Sequence, residues 1–273
     1  MSKSVAKIVN SLVDIVTLPL NKRQRGKAKA HVANHIMSGN YDVVETARGS
    51  LKLYGGRGST IASTVANWNT DEPETRKWIE DFVKSGDLLW DIGANVGIFS
   101  IYAAMLDGVE VVGFEPSSLN FALLTEHLAL NDMGSKIKAL PVALSDHNGI
   151  ETLYFKSSEQ GAACNGLGEA RTQFDHYEPQ FQHDVPCYTV DGFIKQFNMK
   201  TPDHLKLDVD GIEALILKGA PETLKKIKSL IVELEGQNEN NTAIEKMLSE
   251  AGLVQDHALD SLGDGRNKLY VRQ

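Results

Sequence analysis

The chain has 273 residues, of which 42% are hydrophobic and 23% charged, a composition typical of a globular protein rather than a disordered or fibrous one. It contains no stretch of 18 apolar residues, so the sequence predicts no transmembrane helix. The formal net charge of −8 argues against nucleic acid as the main partner.

Residues 1–30 are basic, with seven Lys or Arg and one Asp. An apolar face repeats there at helical spacing and comprises Val5, Ile8, Val9, Leu12, Val13 and Val16. Such a helix either makes peripheral contact with a membrane or packs on its own domain or on a second subunit, and both readings stay open. Because no cleavage site follows, we expect a cytoplasmic chain with Cys164 and Cys187 as free thiols.

The next segments predict a hairpin and a helix. YDVVETARGSLKLYGG (41–56) contains two strand patterns around a turn. DEPETRKWIEDFVKSGD (71–87) has Pro73 near its start and Gly86 beyond its end, as helix boundaries do. We therefore predict that residues 1–80 form a helical and hairpin extension and that residues 81–273 form the main domain.

From residue 87 onwards, strand and helix patterns alternate. The predicted strands are LLWDIG, VEVVGFEP, KIKALPVALS, ETLYF, VPCYTV, HLKLDVDG, SLIVELEG, LVQDHAL and NKLYVRQ, and the predicted helices are 97–106, 118–130, 190–197, 212–219 and 241–251. This order indicates an α/β fold with a mostly parallel sheet covered on both faces. The last two strands lack a helix between them, which predicts an antiparallel edge strand. Residues 157–184 form a long polar segment that we interpret as either a lid or a mobile loop.

The stretch LLWDIGANVGIFS (88–100) predicts a ligand-binding turn between a strand and a helix. Gly93 and Gly97 allow a sharp turn and close approach of a ligand. A nicotinamide cofactor would favour Gly-x-Gly-x-x-Gly, whereas Asn95 stands at the middle glycine and Asp91 would repel a phosphate. The same acid attracts a cationic ligand such as S-adenosylmethionine.

A second acid follows at the tip of the next predicted strand. Glu115 lies there and is followed by Pro116, which cannot continue the strand. A carboxylate at this position can accept hydrogen bonds from both ribose hydroxyls. Alternatively, Asp91 caps a helix and Glu115 lies at a solvated strand end. The occurrence of both acids at strand ends, with two glycines between them, favours a nucleoside site over these alternatives.

These stretches, together with PVALSDHNGIETLYF and HLKLDVDGIEALILKGA, resemble the FkbM family of S-adenosylmethionine-dependent methyltransferases over residues 71–273. The resemblance implies a class I, Rossmann-like fold with a seven-stranded sheet and methyl transfer to a hydroxyl of a sugar, lipid or secondary metabolite. It also implies cofactor binding by a set of residues that comprises Asp91, Gly93, Asn95, Gly97, Glu115, Pro116, Ser145 and Asp146.

Acidic residues at the ends of two later strands are the catalytic candidates, namely Asp208, Asp210, Glu213 and Glu233. A hydroxyl needs a base, or a metal that acidifies it, before it attacks a methyl group. One of these carboxylates could be the base, or Asp208, Asp210 and Glu233 could bind a divalent cation such as magnesium. Alternatively, Asp210 caps the helix predicted at Ile212 and the others are solvated.

Three other functions compete with O-methylation. An N-methyltransferase of a macromolecule is disfavoured because the Asn/Asp-Pro-Pro-aromatic turn is absent where the chain has DVDG. A non-catalytic cofactor-binding module is disfavoured by the acidic residues. A nicotinamide dehydrogenase is disfavoured by Asp91 and Asn95.

Overall fold

A computed structural model describes residues 11–171, 175–234 and 239–273. The chain divides into two compact units, Met1–Tyr41 and Asp42–Gln273. In the first unit, residues 11–17 are helical and a helix α1 spans Lys22–Gly39, where Asn21 and Gln24 form a capping box. Val5, Ile8 and Val9 of the predicted apolar face lie outside the described residues.

The second unit begins with the hairpin that the sequence predicts. Strands β1 (Asp42–Thr46) and β2 (Gly49–Leu53) pair antiparallel, and helices α2 (Ser59–Asn67) and α3 (Pro73–Phe82) follow. Leu51, Ile61 and Trp78 are buried in one cluster with Leu89 of the next strand. Residues 42–80, which the sequence analysis assigned to an extension, therefore share a hydrophobic core with the rest of this unit.

The other strands are, in chain order, β3 (Leu88–Ile92), β4 (Glu110–Phe114), β5 (Ile137–Leu140), β6 (Ala143–Leu144), β7 (Gly149–Phe155), β8 (Gly166–Leu167), β9 (Phe181–Tyr188), β10 (His204–Leu207), β11 (Ser229–Glu233), β12 (Leu253–Asp256) and β13 (Asn267–Arg272). Seven of them form a sheet in the order β12-β13-β11-β10-β3-β4-β5. Strand β13 runs antiparallel to both of its neighbours. It lies between β11 and β12, so the edge strand of the final pair is β12, whose antiparallel pairing with β13 agrees with the predicted antiparallel edge strand. The returning chain pairs with β11 as well as with β12.

Strands β6, β9, β7 and β8 form a second, four-stranded sheet. The sequence predicts one strand across residues 136–145, whereas the structure has β5 and β6 on either side of Pro141 and Val142. Proline has no backbone N–H to donate to a ladder, which is the physical reason for the break. Beyond the break the chain leaves the main sheet, and β6 pairs with β9 instead.

Helices cover both faces of the main sheet. They are α4 (Ile98–Ala104), α5 (Ser118–Leu130), α6 (Val190–Phe197), α7 (Glu213–Lys218), α8 (Pro221–Leu224) and α9 (Glu239–Glu250). Successive residues of β3 point to opposite faces, so that Leu89 joins one buried cluster while Leu88 and Trp90 join the other. Among the described residues, no helix is long and apolar enough to cross a membrane.

Candidate active site

The turn after β3 has the backbone geometry that its glycines predict. Gly93 and Gly97 have φ angles of 85° and 83°, in the left-handed region that glycine favours. A Cβ atom on Gly93 would lie 1.8 Å from the backbone oxygen of Asp208. Asn95 also has a positive φ, 50°. The turn therefore lies directly against the end of β10, and only glycine fits at its first position.

Glu115 holds this turn in place. One carboxylate oxygen accepts the backbone N–H of Asn95 at 2.7 Å, and the other accepts that of Ser117 at 2.8 Å. Burial raises the pKa of Glu115 to about 8, although both backbone donors lower it. Pro116 follows, and Ser117 then caps α5 through the N–H of Asn120.

Asp91 is buried in the sheet, and only one of its two carboxylate oxygens has a hydrogen-bond partner in the described structure. Its Oδ2 accepts a hydrogen bond from Ser100 Oγ at 2.6 Å, whereas its Oδ1 has no hydrogen-bond partner in the described structure. Lys206 lies opposite Asp91 in the parallel pairing of β3 with β10. Burial raises the pKa of Asp91, and Lys206 opposes that shift. A buried carboxylate oxygen without a partner is costly, so this atom is a candidate for contact with a ligand.

Lys206 forms an ion pair with Asp208, the first of the predicted catalytic acids. Its ammonium lies 2.7 Å from Asp208 Oδ2 and 5.3 Å from the centre of the Phe99 ring. Coulombic attraction by Asp208, Asp91 and Glu72 outweighs the burial of Lys206, so the pKa of the lysine is raised. The same ion pair lowers the pKa of Asp208 despite its burial. Asp208 and Lys206 are therefore both charged at neutral pH.

Glu233 is adjacent to Asp208 and shares a side-chain hydrogen bond with it. Arg266 lies 2.8 Å from Glu233 Oε1. Burial and the charge of Asp208 outweigh Arg266 and raise the pKa of Glu233 to about 8. The raised pKa of Glu233 favours its protonated form beside the ionised Asp208.

The remaining two predicted acids have different surroundings. Asp210 has a φ of 61° and its Oδ2 accepts the backbone N–H of Cys164 at 2.6 Å. Burial, followed by the charge of Asp208, raises the pKa of Asp210. Glu213 is buried and accepts the backbone N–H groups of Val209 and Gly211, each at 3.2 Å. Glu213 therefore braces the turn that carries Asp210.

Three cavities meet at this edge of the sheet. The first is bordered by Glu115, Pro116 and the segment 142–144. The second, of about 330 Å³, is bordered by Glu72, Asp91, Lys206 and Glu233. The third contains Ser145 and Asp146 on its wall. Gly93, Asn95 and Asp208 border both the first and the second cavity, and Asp210 borders all three.

Residues 159–165 cover the first two cavities. Asn120 accepts the N–H of Gly161 at 2.8 Å and donates to the carbonyl of Ala162 at 3.1 Å, and Asn95 donates to the carbonyl of Gly161 at 3.3 Å. Glu159 accepts the backbone N–H of Ser59. This part of the predicted 157–184 loop is tied down over the site, whereas residues 172–174 lie outside the described structure.

The structure does not gather the predicted metal ligands into a cation site. In the part of the chain that it describes, no three His, Cys, Asp or Glu side chains are placed to hold a metal ion. Of the three predicted ligands, Asp208 is paired with Lys206 and Glu233 with Arg266. The positive charge beside these carboxylates comes from side chains of the chain itself.

Sequence reasoning missed several polar residues of the site, above all Glu72, Lys206 and Asn120. A lysine inside the otherwise apolar strand HLKL was a usable signal, because a charge in a central parallel strand needs a buried partner. Glu72 gave no such signal, since it looks like an ordinary acid before a helix. His204 of the same strand is buried and hydrogen-bonds Asp87 and Ser229.

The strand order, the glycine turn and the acid at the end of β4 define a class I, Rossmann-like methyltransferase. The family model of the methyltransferase FkbM domain matches residues 91–254. The chain belongs to this family and is a methyltransferase, which confirms the resemblance found in the sequence.

Several characterised relatives are similar to the chain. Methyltransferase sdnD of Sordaria araneosa is 26% identical over 191 residues, covering 62% of this chain and 74% of that protein. The hexuronic acid methyltransferase AglP of Haloferax volcanii is 25% identical, covering 71% and 76%. The 31-O-demethyl-FK506 methyltransferase FkbM of Streptomyces tacrolimicus is 31% identical, covering 42% and 44%. Among solved structures, magnesium protoporphyrin IX methyltransferase from Synechocystis PCC 6803 with bound SAM covers 78% of this chain and 84% of that one, with 11% identity and a TM-score of 0.46.

Proposed function

We propose that the protein transfers a methyl group from S-adenosylmethionine to a hydroxyl oxygen of a sugar, a lipid or a secondary metabolite. The position of Asp210 carries this proposal, because its carboxylate borders all three cavities at the end of β10. Two relatives support an oxygen acceptor by their names, one acting on a hexuronic acid and one on 31-O-demethyl-FK506.

The turn residues fit the cofactor on structural grounds. Gly93 borders both the first and the second cavity, and the Oδ1 atom of Asp91 is buried without a partner in the described structure. S-adenosylmethionine supplies the methyl group when it is bound. Asp91, Gly93, Asn95 and Gly97 would hold its charged part, and Glu115 would accept hydrogen bonds from its ribose.

The adenine end fits the first cavity. Val142, Ala143 and Leu144 form an apolar wall there beside Pro116. Ser145 and Asp146, which the family resemblance implies as cofactor-binding residues, line the third cavity. Their contact with the cofactor stays a prediction, and we favour residues 142–144 as the wall that contacts adenine.

Asp210 is the base in this proposal. Its raised pKa brings it closer to neutrality than an exposed aspartate. Asp208, held ionised by Lys206, supplies a fixed negative charge near the cationic donor. Glu233 orients Asp208 by donating to it, and Glu213 positions the turn. Because Lys206 and Arg266 already occupy the positions beside Asp208 and Glu233 that a cation would take, we expect methyl transfer to survive EDTA rather than to depend on magnesium.

A labelled-methyl assay against neutral glycans, uronic acids, lipids and hydroxylated polyketides tests the proposal. Asp210→Asn should lower kcat by about 10²- to 10⁴-fold, the usual contribution of a general base, while S-adenosylhomocysteine affinity measured by calorimetry changes little. The exposed Asp107→Asn is the matched control. Wild-type turnover by Asp210→Asn would remove this residue from the mechanism, and label found on nitrogen would favour the N-methyltransferase alternative.

We further propose that residues 1–30 make peripheral contact with an anionic membrane from the cytoplasmic side. Exposed Leu12, Ile15 and Val16 lie in the same unit as Lys22 and Arg23, a combination that binds anionic lipid surfaces. Sedimentation with phosphatidylglycerol vesicles should exceed that with phosphatidylcholine vesicles. Ile15→Glu should abolish the difference, and equal sedimentation with both vesicles would refute the contact.

A further inference from the structure

The two cavities on either side of the glycine turn differ in character. The first has an apolar wall at 142–144, beside the buried Glu115 and the acids Asp208 and Asp210 that it shares with the second. The second has further charged groups on its wall, both acidic and basic. Since both cavities share Gly93 and Asn95, a ligand that lies along the turn places one end in each. The charged end of an amphiphilic ligand therefore belongs in the second cavity.

Glu72 enters the second cavity from outside the sheet. It precedes Pro73 at the start of α3 and has a φ of 44°, a conformation that non-glycine residues rarely adopt. Thr75 Oγ1 donates to its Oε2 at 3.1 Å. Strained residues of this kind persist where the surroundings demand them, often at ligand sites. A need to place the carboxylate of Glu72 in this cavity explains its strained backbone conformation.

Asp91 and Lys206 form the floor of the same cavity. They are paired across β3 and β10, and both border the space next to Glu72. Lys206 is already bound to Asp208, so the positive charge of one lysine is shared among Glu72, Asp91 and Asp208. Burial and the charge of Asp208 raise the pKa of Glu72 to about 7, even though Lys206 opposes the shift. The wall of this cavity carries six Asp or Glu residues and two basic residues, Lys206 and Arg266, so it is short of positive charge.

A primary ammonium group supplies that charge and fits the unpartnered atom. It carries three N–H donors, which suffice for Asp91 Oδ1, for Glu72 and for one backbone carbonyl or water. A phosphate or a carboxylate alone would increase the repulsion. The excess of acids over lysines thus selects a ligand end that carries an amino group.

We propose that Glu72, together with Asp91, binds the α-ammonium group of the amino-acid end of the cofactor, and that Lys206 faces the α-carboxylate. This inference rests on the proposed function, because it presumes S-adenosylmethionine as the ligand. It assigns a cofactor-binding role to a residue outside the region 91–254 that the family model matches. No bond is made or broken in this role, and Glu72 acts only by binding.

Calorimetry with three probes tests the assignment without any acceptor. S-adenosylhomocysteine carries both charged groups, its deaminated analogue keeps only the carboxylate, and 5′-methylthioadenosine lacks both. The wild-type protein should bind S-adenosylhomocysteine about 10- to 100-fold more tightly than the deaminated analogue, as expected for a charge-assisted hydrogen bond. Glu72→Gln should remove most of that difference and leave the affinity for 5′-methylthioadenosine within about twofold. Glu110→Gln, at an exposed position of β4, is the control and should change none of the three affinities.

Each outcome decides the question. Equal binding of S-adenosylhomocysteine and its deaminated analogue by the wild-type protein would overturn the ammonium site, whatever the variant does. A Glu72→Gln protein that discriminates as well as the wild type would overturn the role of Glu72. If the wild-type protein binds none of the three probes, the proposed function itself fails and takes this inference with it.

Discussion

Alanine substitutions at three glycines provide a graded test of the turn that forms the candidate site. At Gly93, an added methyl carbon would lie 1.8 Å from the backbone oxygen of Asp208, compared with roughly 3.3 Å for a close carbon–oxygen contact. At Gly97, the nearest atom would be Leu124 Cγ at 3.1 Å, a flexible side chain. At Gly134, nothing lies within 4 Å.

The structure predicts the order in which the three substitutions lower the free energy of unfolding. Both Gly93 and Gly97 have positive φ, which costs an alanine about 1–2 kcal/mol. Gly93→Ala adds a collision with backbone, worth a further ~1–3 kcal/mol, so its total is about 2–5 kcal/mol. Gly97→Ala should lose about 1–2 kcal/mol. Gly134→Ala should stay within about 0.5 kcal/mol of the wild type, or gain slightly.

Thermal denaturation and calorimetry with S-adenosylhomocysteine measure these effects. Each kcal/mol should lower Tm by about 2–4 °C in a chain of this size. Gly93→Ala should also abolish binding, because the collision displaces Asp208 from the turn. A Gly93→Ala protein as stable as Gly134→Ala, with wild-type affinity, would refute the close approach between turn and β10.

Three further outcomes are expected. Glu115→Ala should weaken S-adenosylhomocysteine binding by about 10- to 100-fold, because two backbone N–H groups and the ribose lose their hydrogen-bond acceptor; unchanged affinity in calorimetry would contradict this role. Burial raises the pKa of Glu72 and Glu213 to about 7 and that of Glu115 and Glu233 to about 8, and it lowers the pKa of His127 and His204. Because the four carboxyls outnumber the two histidines, the folded chain binds more protons than the unfolded one near neutral pH, so stability should fall as the pH rises from about 5.5 to 8, and a Tm that rises over this range would refute this. Asn120→Ala should speed hydrogen exchange in residues 159–165, since two hydrogen bonds to the covering segment are lost; Asn131→Ala, which instead removes hydrogen bonds to Lys52 of β2, should not.

The sequence determined the local features of this protein. Helix 118–130 and helix 190–197 have the bounds that periodicity predicts, and the glycine turn and Glu115 meet as expected. These features depend on interactions within a few residues or on the rule that parallel strands end at one edge of the sheet. Both can be inferred from the order of residues along the chain.

Only the tertiary structure decided how the acids differ from one another. Asp208, Asp210, Glu213 and Glu233 look alike in the sequence, yet Asp208 is paired with Lys206, Asp210 borders three cavities, Glu213 accepts backbone N–H groups and Glu233 lies beside Arg266. A pKa depends on burial and on charges from distant segments, which a sequence read position by position does not contain. Glu72 belongs to the site for the same reason, since packing brings it to Asp91 and Lys206 from a segment more than a dozen residues before β3.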